Sequence, residues 1–358
     1  MVAQLILQAM QEQQARLSAG EQDLASMSVE ELIRAGEQLL DVGGWQEAEK
    51  CLLQAIENAE KEKHIEGQIG ALAALGCLCR GRGDLPQAMM LYQKALSLAE
   101  RTNERRFMSV IYNGMGNTCF MQGRYSQAIE YYKKSLKNSK QVGDEEQLAV
   151  GYGNLGSVYR EQGDYRRAIQ AYRKAIELDV KVGYERGLAQ DYGNLGIVYL
   201  LQGQYDRAVE MYQQCLEIML YIGDQGGAAN TYSNLGNVHR ELGNYEMAIQ
   251  MYQKGKEIRE RIGDEPGIAK DYGNLALVYE EMGDVAQALE YHHKDLAITE
   301  RIGDWHNAAI SYFNLGTLYR DLREVKQAGV HYEKAKALFE AVGDIQHAQW
   351  AAQKLRQL

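Results

Sequence analysis

Five asparagines recur at intervals of forty residues: Asn154, Asn194, Asn234, Asn274 and Asn314. Each carboxamide offers two donors and an acceptor, the complement of a peptide group, so a ladder of them can hold a peptide backbone without reading its sequence. Gly153, Gly193 and Gly273 precede three of these asparagines. A second glycine inside a helix costs about 1 kcal/mol relative to alanine, and a small residue there would let a ligand chain lie close. Further along alternate segments stand Arg160, Arg240 and Arg320, whose forked guanidinium suits carboxylates. Each is followed by an acid, Glu161, Glu241 or Asp321, so a solvated face of ion pairs is open as an alternative. For the asparagines the alternative is bonding between neighbouring helices.

No catalytic constellation accompanies the ladder. The histidines show no H-x3-H or HExxH spacing. His239 and His292 fall where other segments carry tyrosine, which makes them packing residues. Cys77-Leu-Cys79 is not C-x2-C, and five cysteines without framework spacing point to reduced thiols. There is no P-loop, and the G-x-G of Gly114-Met-Gly116 belongs to a helical pattern rather than following a strand. The expectation is a non-enzyme without cofactor or metal.

The bulk properties agree with a binding role. A net charge of −10 and the absence of any basic run exclude general attraction to nucleic acid or anionic lipid. No apolar stretch approaches the roughly 20 residues that span a bilayer. The opening MVAQLILQAMQEQQ lacks a basic leader, so a cytoplasmic location is expected.

The elements that would position the ladder follow one register. Gly156 recurs as Gly36, Gly76, Gly116, Gly196, Gly236 and Gly316, with Ala276 once; Ala168 recurs in every segment from Ala48 to Ala328. Eight units therefore cover about residues 28 to 343. Each reads as two helices. In the fourth unit helix A spans about Glu145 to Gln162 and helix B about Tyr165 to Lys181, with Gly156 and Ala168 letting the backbones approach. Gly-Asp pairs such as Gly143-Asp144 and Gly163-Asp164 close one helix and cap the next. Ser28-Val-Glu-Glu31 is a capping box that starts the first helix near residue 29. Residues 1–27 lie outside the frame, with Leu5 to Leu17 a possible short amphipathic helix. Ile345 to Leu358 supplies a terminal capping helix with Trp350, Ala351 and Leu355 on one face. The tyrosines at 152, 192, 232, 272 and 312 and at 172, 212 and 252 are expected in the core with their hydroxyls reaching the surface.

The spacing Tyr152, Leu155, Gly156, Tyr159, Ala168, Tyr172 resembles the tetratricopeptide repeat, W-x2-L-G-x2-Y followed by A-x3-F, over about nine tenths of the chain. The unit is longer than that family's usual ~34 residues and lacks its terminal proline. Long units with Asn-Leu-Gly and a closing Gly-Asp look like those of the Pins or LGN cell-polarity adaptors, and less closely those of kinesin light chains. The resemblance implies an all-α, right-handed α–α superhelical solenoid whose A helices line the concave side. It also implies that the asparagines, about 200° from the seam glycine, face that groove and hold an extended, acidic partner segment. The expected binding region is units four to eight. The function that follows is a protein–protein interaction adaptor with no membrane insertion and with self-association open. A peptide-responsive regulator, or the sensor part of a larger protease or nucleotidase assembly, is the rival reading.

Overall fold

The structure is a computed structural model, and it describes residues 24, 26–41 and 43–358. The segment Leu5 to Leu17 lies outside the described residues. Among those described there are 17 helices and no strand. Up to Gly187 the chain forms one compact unit, and Leu188–Leu358 forms a second.

In the N-terminal unit the helices are α1 (Val29–Asp41), α2 (Trp45–Glu62), α3 (Ile65–Gly81), α4 (Leu85–Thr102), α5 (Arg105–Met121), α6 (Tyr125–Val142), α7 (Glu145–Glu161) and α8 (Tyr165–Val182). Odd and even helices pack as successive antiparallel pairs, and the odd ones also touch one another, α1 on α3, α3 on α5 and α5 on α7. The boundary falls early in α9 (Glu185–Leu201). After it come α10 (Tyr205–Tyr221), α11 (Gln225–Glu241), α12 (Tyr245–Ile262), α13 (Glu265–Met282), α14 (Val285–Ile302), α15 (Trp305–Asp321), α16 (Val325–Ala341) and α17 (Ile345–Arg356). The same pairing continues there, α11 with α12, α13 with α14 and α15 with α16, and α17 packs on α16. Each unit is thus an all-α solenoid of helix hairpins.

The turns obey local chemistry. Ser28 N–H donates to Glu31 Oε2 at 2.9 Å while the Glu31 N–H reaches Ser28 Oγ at 3.3 Å, the reciprocal cap expected of that box. Gly263 takes φ +74° to close α12, and Asp264 then accepts from the Gly267 N–H at 3.0 Å to open α13. Where the sequence offers no glycine, Lys63, Asn103 and Arg323 adopt the same left-handed conformation, which disfavours a side chain carrying Cβ.

The seam glycines have a more specific task than backbone approach. A Cβ on Gly156 would lie 2.7 Å from the Tyr172 ring, and Gly76, Gly116, Gly196, Gly236 and Gly316 meet Tyr92, Tyr132, Tyr212, Tyr252 and Tyr332 in the same way. The tyrosine of helix B lies flat over the glycine of helix A. Two positions depart from this: a Cβ on Gly36 would lie 2.8 Å from Leu52 and not from a ring, and Ala276 stands in register with His292, a smaller ring, fully buried and bonded through Nε2 to Glu280 Oε1 at 2.5 Å.

Two expectations need correction. The hydroxyls of Tyr172 and Tyr252 do not reach the surface: they bond Ser157 Oγ at 3.0 Å and Asn237 Oδ1 at 2.7 Å, one residue past the seam glycine. Trp350 is 48% exposed and stands against His347, so Ala348 and Ala351 make the buried face of α17.

Candidate peptide-binding surface

The five ladder asparagines all sit on odd-numbered helices and are all half-buried. In the N-terminal unit, Asn154 Nδ2 donates to Asn113 Oδ1 at 2.7 Å, linking α7 to α5. That is the inter-helix use of a carboxamide, and its acceptor lies one register position ahead of the ladder. In the C-terminal unit the arrangement differs. Asn194 is engaged within the protein. Asn274 Nδ2 is buried with no hydrogen-bond partner among the described residues. An unpaired buried amide costs about 1–3 kcal/mol.

The small residues before the asparagines are explained in part by packing. A Cβ on Gly193 would sit 3.5 Å from Cys215 Sγ on α10, and one on Gly273 would sit 3.3 Å from Asp295 Oδ2 on α14. Ser233, at the same place, is buried and donates to Asp271 Oδ1 at 2.8 Å. Gly193 and Gly273 therefore look toward the companion helix, while Ser233 bonds to α13, the next odd-numbered one. Gly153 shares their register and is half-buried.

Each of the three arginines contacts the acid that follows it. Arg160 Nη2 is 2.9 Å from Glu161 Oε1, Arg320 Nη2 is 2.6 Å from Asp321 Oδ1, and Arg240 Nη2 is 3.2 Å from Glu241 with Glu281 at 3.6 Å from its Nε. Such partly exposed pairs contribute only about 0–1 kcal/mol. Exchanging the neighbouring carboxylate for a ligand's is therefore nearly free of cost, and the arginines remain usable.

Two cavities lie elsewhere, and no ladder asparagine lines either. In the N-terminal unit a cavity of about 590 Å3 runs along α1, α3, α5 and α7, with Arg80, Tyr92, Phe107 and Asn117 in its wall. In the C-terminal unit one of about 410 Å3 includes Asn230, Arg259, Lys270, Asp295 and Ser311. Beside it the Arg259 guanidinium, 1% exposed, donates to Ser233 Oγ at 2.9 Å, to Asn230 Oδ1 at 2.8 Å and to the fully buried Asp271 carboxylate, with Asp264 at 3.2 Å. Burial pushes the Asp271 carboxyl up against the opposing pull of Arg259. Sequence reasoning missed this network because its central cation recurs in no other unit: Arg259 falls where others carry Asp179, Met219 or Thr299. It also missed Arg80, although that residue stands in the register of Arg160, eighty residues earlier.

Among the described residues no group of three or more histidines, cysteines or acids is placed to hold a metal ion, and no helix is long and apolar enough to cross a membrane. No curated protein sequence matches the chain. Its fold is similar to three solved structures. One is a signal transduction ATPase with numerous domains and a tetratricopeptide repeat sensor from Pyrococcus horikoshii (18% identity, TM-score 0.70, 87% of this chain and 51% of that one). Another is apo RapI (15%, TM-score 0.66, 92% and 96%). The third is a Rap protein complexed with competence and sporulation factor (15%, TM-score 0.58, 92% and 96%). At such identities the likeness concerns the fold. The tetratricopeptide repeat model matches residues 28–101, 107–179, 187–261 and 267–341, and a second model of the same repeat matches 154–218; the chain belongs to the tetratricopeptide repeat family.

Proposed function

We propose that the chain is a non-catalytic, cytoplasmic adaptor that holds an extended, acidic segment of a partner protein on its odd-numbered helices. The reading rests chiefly on the buried, unpartnered Nδ2 of Asn274, a donor suited to a peptide carbonyl. Asn194, Asn234 and Asn314 hold the same register within the C-terminal unit and Asn154 within the N-terminal one, where its Nδ2 donates to Asn113. Arg160, Arg240 and Arg320 add carboxylate recognition by partner exchange, and Gly153, Gly193 and Gly273 keep the helix surface low beside the asparagines. The Asn-Leu-Gly triplets and Gly-Asp turns favour the Pins-like branch of the family, whose adaptors work this way. The test is the triple variant Asn194→Ala, Asn234→Ala, Asn274→Ala. Partner capture should fall while the helical circular dichroism spectrum is retained, and undiminished capture would remove the ladder from the binding surface.

A second reading is a peptide-responsive regulator or sensor, favoured by the near full-length likeness to a Rap protein complexed with competence and sporulation factor and by the tetratricopeptide repeat sensor of the Pyrococcus horikoshii ATPase. A regulator should compact on adding its peptide, as small-angle scattering would record. An adaptor should keep its dimensions.

A further inference from the structure

The exposed stripe of the even-numbered helices is acidic almost throughout the chain. Its last position carries Glu60, Glu100, Glu260, Glu300 and Glu340, and the position one turn earlier carries Glu57, Glu177, Glu217 and Glu257, all exposed. In α6 the sign is reversed. Lys133, Lys137 and Lys140 follow one another at i, i+4 and i+7 on one face, all exposed, and none is ion-paired among the described residues. Like charges at that spacing disfavour the helix that carries them, so α6 keeps them against a local cost. The reversal is one helix wide. At the same three positions α4 carries Gln93, Ser97 and Glu100, and α8 carries Arg173, Glu177 and Val180.

A surface that fits must carry acids at the same spacing on a single helix, and the chain contains one. α12 presents Gln253, Glu257, Glu260 and Arg261, all exposed. With α12 laid antiparallel on α6, Lys133 meets Glu260, Lys137 meets Glu257 and Lys140 meets the side-chain oxygen of Gln253. Glu130, exposed one turn before the lysines, then falls beside Arg261. Of the other even helices α2 comes nearest, with Lys61, Glu60 and Glu57, but it sets Leu53, 51% exposed, opposite Lys140. Glu257 makes no ion pair among the described residues, and Glu260 is held by Lys256 of its own helix at 2.7 Å, an exposed contact that is easily exchanged. Beside the two stripes Lys134 lies over the rings of Tyr112 and Tyr131, and Lys254 over that of Tyr232. Residues 188–358 carry 24 acids against 16 bases, so the C-terminal unit attracts a lysine stripe before contact.

We infer that α6 is a self-association surface: the Lys133, Lys137 and Lys140 stripe of one copy docks antiparallel on the Glu257 and Glu260 stripe of α12 in a second copy of this chain. None of these residues belongs to the asparagine ladder or to its arginines, so the contact and the adaptor reading fail independently.

Analytical ultracentrifugation of the full chain tests this. Association should be present at about 0.1 M salt and weaken about ten-fold or more at about 1 M, where the screening length contracts from about 10 Å to about 3 Å. Two charge-reversed variants are compared at the lower salt. One carries Lys133→Glu, Lys137→Glu and Lys140→Glu, the other Glu257→Lys and Glu260→Lys. Each alone should be monomeric, because its two stripes now repel. An equimolar mixture should associate again, since each reversed stripe finds its complement on the other variant. All five positions are exposed, and a retained helical spectrum checks the fold. Should either reversal disturb it, Lys133→Gln, Lys137→Gln and Lys140→Gln together remove the attraction without adding repulsion and should lower the association constant about ten-fold, the worth of three exposed pairs. A native chain that stays monomeric up to about 1 mM, or a folded variant that associates like the native chain, overturns the proposal. A mixture that stays monomeric overturns it as well, and assigns the lysines to an acidic partner of another kind.

Discussion

Arg80 and Arg259 are both drawn inside the protein and are held in opposite ways. Arg259 is enclosed by Ser233, Asn230, Asp264 and Asp271 and is 1% exposed. Arg80 opens on a cavity with a thiol and a phenol for company. Burying a guanidinium is costly unless its charge and donors are matched. The protein matches them in the C-terminal unit and leaves them unmatched in the N-terminal one, where Arg80 Nη2 meets a thiol and its Nε has no partner.

The largest effect should come from breaking the matched one. Arg259→Met leaves the Asp271 carboxylate buried without its cation, and the loss should be about 3–5 kcal/mol by urea unfolding. Adding Asp271→Leu should recover most of it, since replacing both members of a buried pair is often neutral. A single variant as stable as the double would show that the network is ornamental.

Next comes a test of steric rather than ionic matching. His292→Tyr places a full ring against Ala276 and should cost about 1–3 kcal/mol as overpacking. Ala276→Gly in the same chain should return the stability, because that pair then reproduces Gly236 beneath Tyr252.

Asp179 sharpens the contrast, since it holds in the N-terminal unit the register of Arg259. It is 2% exposed, its Oδ1 is unpaired, and burial with Glu146 nearby pushes its carboxyl up to about 6. An unfolded aspartate titrates near 3.9, so between those values the folded protein binds the extra proton. Stability then falls as pH rises from about 4 to about 6. Asp179→Asn should flatten that part of the profile and stabilise the protein by about 1–2 kcal/mol at pH 7; a profile unchanged from the parent would place the titration elsewhere. The smallest effect belongs to the unmatched arginine. Arg80→Gln removes an unmatched, partly buried charge and should raise stability by up to about 1 kcal/mol, and a loss as large as that of Arg259→Met would make Arg80 a structural residue.

The fold was legible because its signals recur. Helix ends such as Glu145 and Tyr165, the Ser28–Glu31 box and the glycine seam each follow from local chemistry repeated at one spacing. What could not be read were features set by a single unit. Asn113 lies one position out of register yet accepts from Asn154, because a long amide can reach across α5 and α7. Trp350 shares a helical face with Ala351 on paper, but it stands exposed against His347, while Ala348 and Ala351 are buried and Leu355 lies beside Gly329 of α16. The candidate site divides in the same way. The asparagine register was visible, while the unmatched charge of Arg80 depends on Trp45, whose ring lies 2.7 Å from where a Cβ on Gly81 would stand and leaves no room for an acid there.

The Gly-Asp punctuation carries an evolutionary consequence. Asp224, Asp264, Asp304 and Asp344 each cap the helix that follows by the same side-chain contact, so Asp304 can open the helix that begins at Ile345 as well as the one at Trp305. Recombination that removes or duplicates one whole hairpin leaves every junction chemically intact. An insertion of a single residue instead turns each downstream face by about 100°. A chain punctuated in this way tolerates a change of length by complete modules and not by single residues.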